Sequence, residues 1–233
     1  ETEIKLNDLT VFVGKNDIGK STILEALDIF FNDGKGVIKL DKTDVNVKSR
    51  TEENLDIEIS VCFSELPEQI VIDSTVETSL QDEFMLNANG QLEVIKRYKN
   101  GGSAKVFIKA KHPTNDKCAE LLLKKNRDLK RIIQSENIEC ENQTVNAEMR
   151  KAIWNKFSDD LQQDIIEIDV SKEDAKKIWE KLSNYLPTYS LFQSDRKNSD
   201  GDNEIQDPLK TAVKQILSDT ELQATLAEVA VEV

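Results

Sequence analysis

Apolar and polar positions change period several times along the chain, and each change predicts an element. Leu9-Thr10-Val11-Phe12-Val13 is almost continuously apolar, the pattern of a strand buried on both faces. With Glu3–Leu6 before it and Asn7-Asp8 between, it reads as one arm of a hairpin. From Ser21 to Phe31 only Glu25 and Asp28 are charged. A helix apolar nearly all round is expected between layers, and Asn32-Asp33-Gly34 should end it. Leu55–Phe63 alternates strictly, with Leu, Ile, Ile, Val and Phe on one face and Asp, Glu, Ser and Cys on the other. That predicts a half-buried antiparallel strand. Leu92–Lys99 and Lys105–Lys111, joined by Asn100-Gly101-Gly102, predict a hairpin. Ser79–Leu86 reads as a short helix and Asn87–Gly90 as a turn.

From Asn115 to Leu186 the composition shifts to helix formers. Ala119–Ile133, Ala147–Phe157 and Lys172–Leu186 each carry apolar residues at helical spacing and read as amphipathic helices. Trp154 and Trp179 are taken as core anchors rather than base-stacking platforms. The cations Lys124, Lys125, Arg127, Lys130 and Arg131 are taken as a solvated helix face. His112, next to Pro113, has no nucleophile nearby and is given no role. Thr188–Phe192 reads as a strand. Asn198–Asp207 reads as a polar loop without the spacing of a calcium loop. Asp207 and Pro208 then look like the cap and first residue of a helix. Leu209, Val213, Ile216, Leu222, Leu226, Val229 and Val233 continue at spacings of three and four, and Ser218 with Glu221 suits a capping box.

A net charge of −13 argues against a chain that coats nucleic acid by bulk electrostatics, while leaving room for local basic patches. Cys62, Cys118 and Cys140 are scattered and form no CxxC, which removes a zinc ribbon or a dithiol redox motif. A reducing, cytoplasmic setting is expected, and no apolar run approaches membrane-spanning length. The opening at Glu1 and the ending in LAEVAVEV, inside a helical pattern, read as those of a fragment.

The chemistry concentrates between the first apolar run and the first helix. Gly14-Lys15-Asn16-Asp17-Ile18-Gly19-Lys20-Ser21 fits GxxxxGK[ST] at every fixed position. Glycines let the backbone turn tightly and bring its N–H groups close to phosphate oxygens. The helix that follows presents unpaired N–H groups and the positive end of its dipole to the same anion. Lys20 supplies a point charge for the β- and γ-phosphates, and the Ser21 hydroxyl is placed to ligate Mg²⁺. ATP and Mg²⁺ are therefore the expected cofactors.

No NKxD base-reading motif of a GTPase is present, since Lys124–Asp128 reads KKNRD. Nor does an arginine-rich lid of a small-molecule kinase follow the loop. Asn16 before Gly-Lys-Ser, continued by STILEAL, resembles the Walker A segment of the ABC-type ATPases in the SMC, RecF and OLD (overcoming lysogenization defect) group. The family's earlier strand, ending in an Asn-Phe-Arg-type motif, would lie before Glu1. In Pro187–Arg196 (PTYSLFQSDR), Gln193 resembles in position the Q-loop glutamine, which in that group helps coordinate Mg²⁺ and senses the γ-phosphate. LFQSDR followed by DPLK looks closest to OLD-family endonucleases such as effectors of Gabija and some retron defence systems. The resemblance is strong over Leu9–Phe31, good over Tyr189–Lys210 and thin between them.

The resemblance implies an α/β fold, a P-loop ABC-type ATPase lobe with an antiparallel β-subdomain and a helical insertion, present as an incomplete fragment. Residues 1–113 would be the ATPase lobe, 114–186 the insertion, 187–206 the Q-loop strand and loop, and 207–233 the start of a dimerisation arm. Gly14, Lys15, Asn16, Asp17, Ile18, Gly19, Lys20, Ser21 and Thr22 would cradle the nucleotide, with Thr22 at the α-phosphate and Ser21 and Gln193 near Mg²⁺. The sequence shows no Walker B strand, no signature helix and no acidic cluster of a Toprim nuclease. Alone, the chain should bind ATP weakly and neither hydrolyse it nor cut DNA. The expected partners are further copies of the chain, DNA through the full-length protein, and a companion defence protein; no membrane is expected. Two other readings stay open: a RecF- or SMC-like DNA-repair ATPase without a nuclease, and a non-catalytic assembly module with a vestigial loop.

Overall fold

Strict alternation in Leu55–Phe63 does become a strand, and it forms the edge of a four-stranded antiparallel sheet. The computed structural model describes residues 2–15, 18–46, 49–50, 55–72 and 76–191. Within them the strands are β1 (Asp56–Phe63), β2 (Leu92–Lys99), β3 (Ala104–Pro113) and β4 (Gln163–Asp169), paired in the order β1-β2-β3-β4. The α-helices that lie wholly within the described residues are α1 (Lys20–Phe31), α2 (Asn126–Ser135), α3 (Asn146–Lys156) and α4 (Glu173–Leu182). The chain divides into two units, Glu1–Leu40 with Thr188–Val233, and Asp41–Pro187.

The larger unit, Asp41–Pro187, holds the sheet. Pairs such as Val61↔Val94, Val94↔Ile108 and Ile108↔Ile168 put like residues on one face. Leu92, Val94, Tyr98, Val106, Ile108, Ala110 and Ile168 are all buried there. Helices cover this face: Trp179 of α4 lies over the buried Lys96 ammonium at 5.8 Å, and Trp154 of α3 meets His112 of β3 edge to face. Turn chemistry sets the β2–β3 hairpin, because Asn100 and Gly101 both have positive φ, 52° and 70°. A side chain at Gly101 would also press on the backbone of Asp41 and Lys42, at 2.8–2.9 Å.

On the opposite face Arg97 crosses the sheet. Its Nε donates to Glu58 of β1 at 2.6 Å and its two terminal nitrogens donate to Glu167 of β4, both at 2.8 Å. The guanidinium lies 4.7 Å over the Phe107 ring. The hydrogen bonds to Glu167 and Glu58 raise the Arg97 pKa, and Arg97 holds the Glu167 carboxyl below its usual range. A bidentate, ring-stacked guanidinium exceeds the ordinary surface pair. Arg97→Ala should cost about 1–2 kcal/mol, read as a lowered urea midpoint with an unchanged slope.

Five expected elements differ in the structure. Leu9–Val13 makes no strand and no hairpin with Glu3–Leu6. Leu9, Val11 and Val13 are 84, 72 and 86% exposed, because no strand among the described residues lies beside them to complete a ladder. The Asn7 turn does form, with its N–H on the Thr10 hydroxyl at 2.9 Å. Ser79–Leu86 is a turn rather than a helix, with Phe84 at φ 52°. Burial of Leu80, Glu83 and Met85 on different neighbours outweighs helix propensity there. Ala119–Ile133 is split: Leu121–Leu123 is a 3-10 turn, Lys124 is extended, and α2 starts at Asn126. Leu121, Leu122, Leu129 and Ile133 are all buried, but the 3-10 turn packs against α4 and α2 against α3, which one continuous helix does not satisfy.

Finally, the 114–186 region expected to be helical contributes β4. The described part of Thr188–Phe192 carries no strand. Trp154 is a core anchor, its indole donating to the Cys118 carbonyl at 3.1 Å, whereas Trp179 is only half-buried. The loop expected at Asn198–Asp207 and the arm expected from Asp207 lie outside the described residues.

Candidate phosphate-binding site

The site is built at the start of α1, in the unit Glu1–Leu40 with Thr188–Val233. Gly19 stands at the N-cap of α1 in the left-handed region, φ 89° and ψ 13°, with no side-chain cap. Only glycine adopts that conformation cheaply. It turns the chain from the loop into the helix, so the first-turn N–H groups have no capping side chain. That turn contains no acidic residue. A β-carbon on Gly14 would run into the end of the Ile18 side chain, which packs against the glycine.

Lys20 closes the loop. Its ammonium donates to the Gly14 carbonyl at 2.8 Å and also to the Lys15 carbonyl. The charge is thereby held against the loop rather than projecting into solvent. Ser21 and Thr22 follow on the exposed side of α1, and their hydroxyls make no hydrogen bond among the described residues. Gly14, Lys15, Ile18, Gly19, Lys20, Ser21 and Thr22 are thus brought together as one loop and helix start. Asn16, Asp17 and Gln193 lie outside the described residues.

Two residues that the sequence reading passed over brace this helix. Asp28 is buried in α1, and its carboxylate accepts from the Ile38 N–H at 2.8 Å and the Asn32 amide at 2.9 Å. Gly36 passes so close that a β-carbon would sit 2.5 Å from Asp28 Oδ2. Tyr189 donates its hydroxyl to the Leu24 carbonyl at 2.9 Å and stacks on Phe31 at 5.6 Å. Burial raises the Tyr189 pKa, and the Asp28 charge adds to it. A charge among the apolar positions of α1 was a readable signal for Asp28; nothing in the sequence pointed to Tyr189. Asn32 caps the helix, and the Gly34 N–H returns to the Ile29 carbonyl at 2.9 Å.

The family model for the AAA ATPase domain matches residues 1–232. The chain belongs to that family. No curated protein and no solved structure matches it. An AAA ATPase domain is an ATP-binding P-loop ATPase domain, and such domains usually work with Mg²⁺. The loop fits that chemistry on its own terms: an ammonium held at the loop, an N-cap without a side-chain bond, and two exposed hydroxyls in sequence. No group of three or more metal-ligating side chains occurs among the described residues.

A groove of about 440 Å³ lies elsewhere, between Ser64–Glu68 and Asn89–Gln91 in the larger unit, and contains none of these residues. No helix among the described residues is long and apolar enough to cross a membrane.

Proposed function

We propose that this AAA ATPase domain is the ATP-binding part of an OLD-family DNA endonuclease acting in anti-phage defence in the cytoplasm. Its nuclease would reside in a Toprim domain that this sequence does not contain. The observation that carries the nucleotide reading is Lys20, held by the loop carbonyls at the first residue of α1. In this reading the loop N–H groups from Gly14 to Ser21, with Asn16 and Asp17 between, hold the phosphates. Lys20 neutralises the β- and γ-phosphates, Thr22 contacts the α-phosphate, and Ser21 and Gln193 hold Mg²⁺. Bound Mg²⁺ supplies charge neutralisation on the phosphates. The OLD assignment draws on STILEAL after the loop and on LFQSDR with DPLK, and the arm from Asp207 would join copies of the chain.

The experiment is calorimetric titration of the intact protein with ATP and Mg²⁺. Lys20→Ala should weaken binding at least about tenfold, the loss of one charge-assisted phosphate contact. Circular dichroism should remain unchanged, because Lys20 is not part of the core. Equal binding by both proteins, or none by either, would remove the phosphate-loop reading. Divalent-dependent DNA cleavage by the full-length protein tests the endonuclease separately.

A further inference from the structure

The segment from Lys124 to Arg131 carries five cations and one acid in a chain whose net charge is −13. Asp128 is shared by Arg131 at 3.3 Å and Arg127 at 3.7 Å. The side chains of Lys124, Lys125 and Lys130 have no ion pair among the described residues. On α2 the positions 127, 130, 131 and 134 recur at three and four residues and form one stripe. Leu129 and Ile133 are buried on the opposite side. The stripe reads Arg, Lys, Arg, Gln, with no apolar residue in it.

The placement is also locally unfavourable. Lys125 is the N-cap of α2 and makes no capping bond, Arg127 shares the first turn with Asp128, and Glu136 follows the last residue. Cations at the positive end of a helix and an acid at the negative end oppose the macrodipole. Asp128 suits that end of the helix, whereas capping and dipole would favour a small polar residue in place of Lys125 and an acid in place of Arg127. Lys125 is thus placed against local preference with no cap or ion pair that ties it to the fold.

We propose that this stripe, together with Lys124 and Lys125 just before it, docks the sugar–phosphate backbone of a nucleic-acid duplex. Guanidinium forks and unpaired ammonium groups suit phosphate oxygens. A protein partner would call for an apolar or aromatic anchor at the centre of the patch, which the stripe lacks. Contacts to the backbone alone carry no base reading, so binding is independent of sequence and steeply dependent on salt. The surface lies on α2, far in sequence from the phosphate loop, and does not depend on the nucleotide reading.

The test is fluorescence anisotropy of a labelled duplex with the intact protein, over a salt series and without nucleotide. Lys125→Ala/Lys130→Ala should weaken binding about tenfold at low salt and flatten the log–log salt slope by roughly two. The effect should be the same for two unrelated duplex sequences. The thermal midpoint should stay the same or rise, since the variant removes a cation from the wrong end of α2. The control Lys99→Ala/Lys105→Ala removes the same charge from the exposed β2–β3 hairpin and should leave binding intact. The proposal is overturned by absence of duplex binding at low salt, by equal loss in the control, or by polyglutamate displacing the duplex as well as unlabelled duplex does.

Discussion

Replacing Arg150 by methionine is expected to cost about 3–5 kcal/mol of folding stability, the penalty for leaving one charge of a buried pair uncompensated. Arg150 and Glu83 are each only 1% exposed. Arg150 Nε donates to Glu83 Oε2 at 2.7 Å and Nη2 to Oε1 at 3.0 Å. The Thr78 hydroxyl adds a third donor to the same carboxylate at 3.2 Å. The pair joins α3 to the 79–86 turn across 67 residues of sequence, so its loss loosens the packing of α3 against the sheet unit. A typical domain has only about 5–15 kcal/mol in total, and the variant should unfold at markedly lower urea. The double variant Arg150→Met/Glu83→Leu should recover most of the loss, since an apolar replacement of both partners removes the buried charge altogether. If the double variant were as unstable as the single, the deficit would come from lost packing around Arg150 rather than from an orphaned carboxylate.

That ion pair was invisible in the sequence. Glu83 stood in a segment read as a short helix, and a lone Arg and Glu at this separation carry no pattern. What was legible followed from period and turn chemistry. Leu55–Phe63 alternates so strictly that its burial in β1 is exposed and half-buried by turns. Asn100-Gly101 announced the β2–β3 hairpin. Gln163–Asp169 failed the same reading because Ile165, Ile166 and Ile168 break the alternation and suit a helix equally well. Only pairing with β3, Ile108↔Ile168 and Ala110↔Ile166 among others, decides for a strand. At the phosphate loop, Gly19, Lys20 and Ser21 could be read at once, because backbone conformation, charge and hydroxyl are local requirements. The charge of Asp28 stood out among apolar neighbours, but its partner Ile38 and the support from Tyr189 could not be read, since they depend on where Ile38 and Thr188–Leu191 return to α1.

Lowering the pH is expected to destabilise the Asp41–Pro187 unit well before its carboxylates titrate, and His112 is the group responsible. The ring is 1% exposed and lies edge to face with Phe84 and Trp154 at 6.3 and 5.9 Å. Its Nδ1 is 2.9 Å from the Phe84 carbonyl, which as an acceptor requires the proton on Nδ1. Burial drives the pKa from 6.5 down to about 4, against a smaller upward pull from the Phe84 carbonyl. The folded state therefore resists a proton that the unfolded chain accepts near pH 6.5, and stability falls as pH drops below that value. The loss amounts to about 2 kcal/mol by pH 5 and about 3 kcal/mol once pH reaches the folded pKa and below. Glu167, whose pKa Arg97 depresses, begins to contribute only as pH falls toward the carboxylate range. The interval between pH 6.5 and 5 accordingly isolates the histidine. Urea midpoints measured at pH 8, 6.5 and 5 should fall with a slope approaching one proton. His112→Asn keeps a side-chain donor for the Phe84 carbonyl; it should be less stable at pH 8 through lost packing against Trp154, and flat between pH 6.5 and 5. A wild-type protein equally stable at pH 8 and 5 would show that His112 takes up its proton without leaving the core.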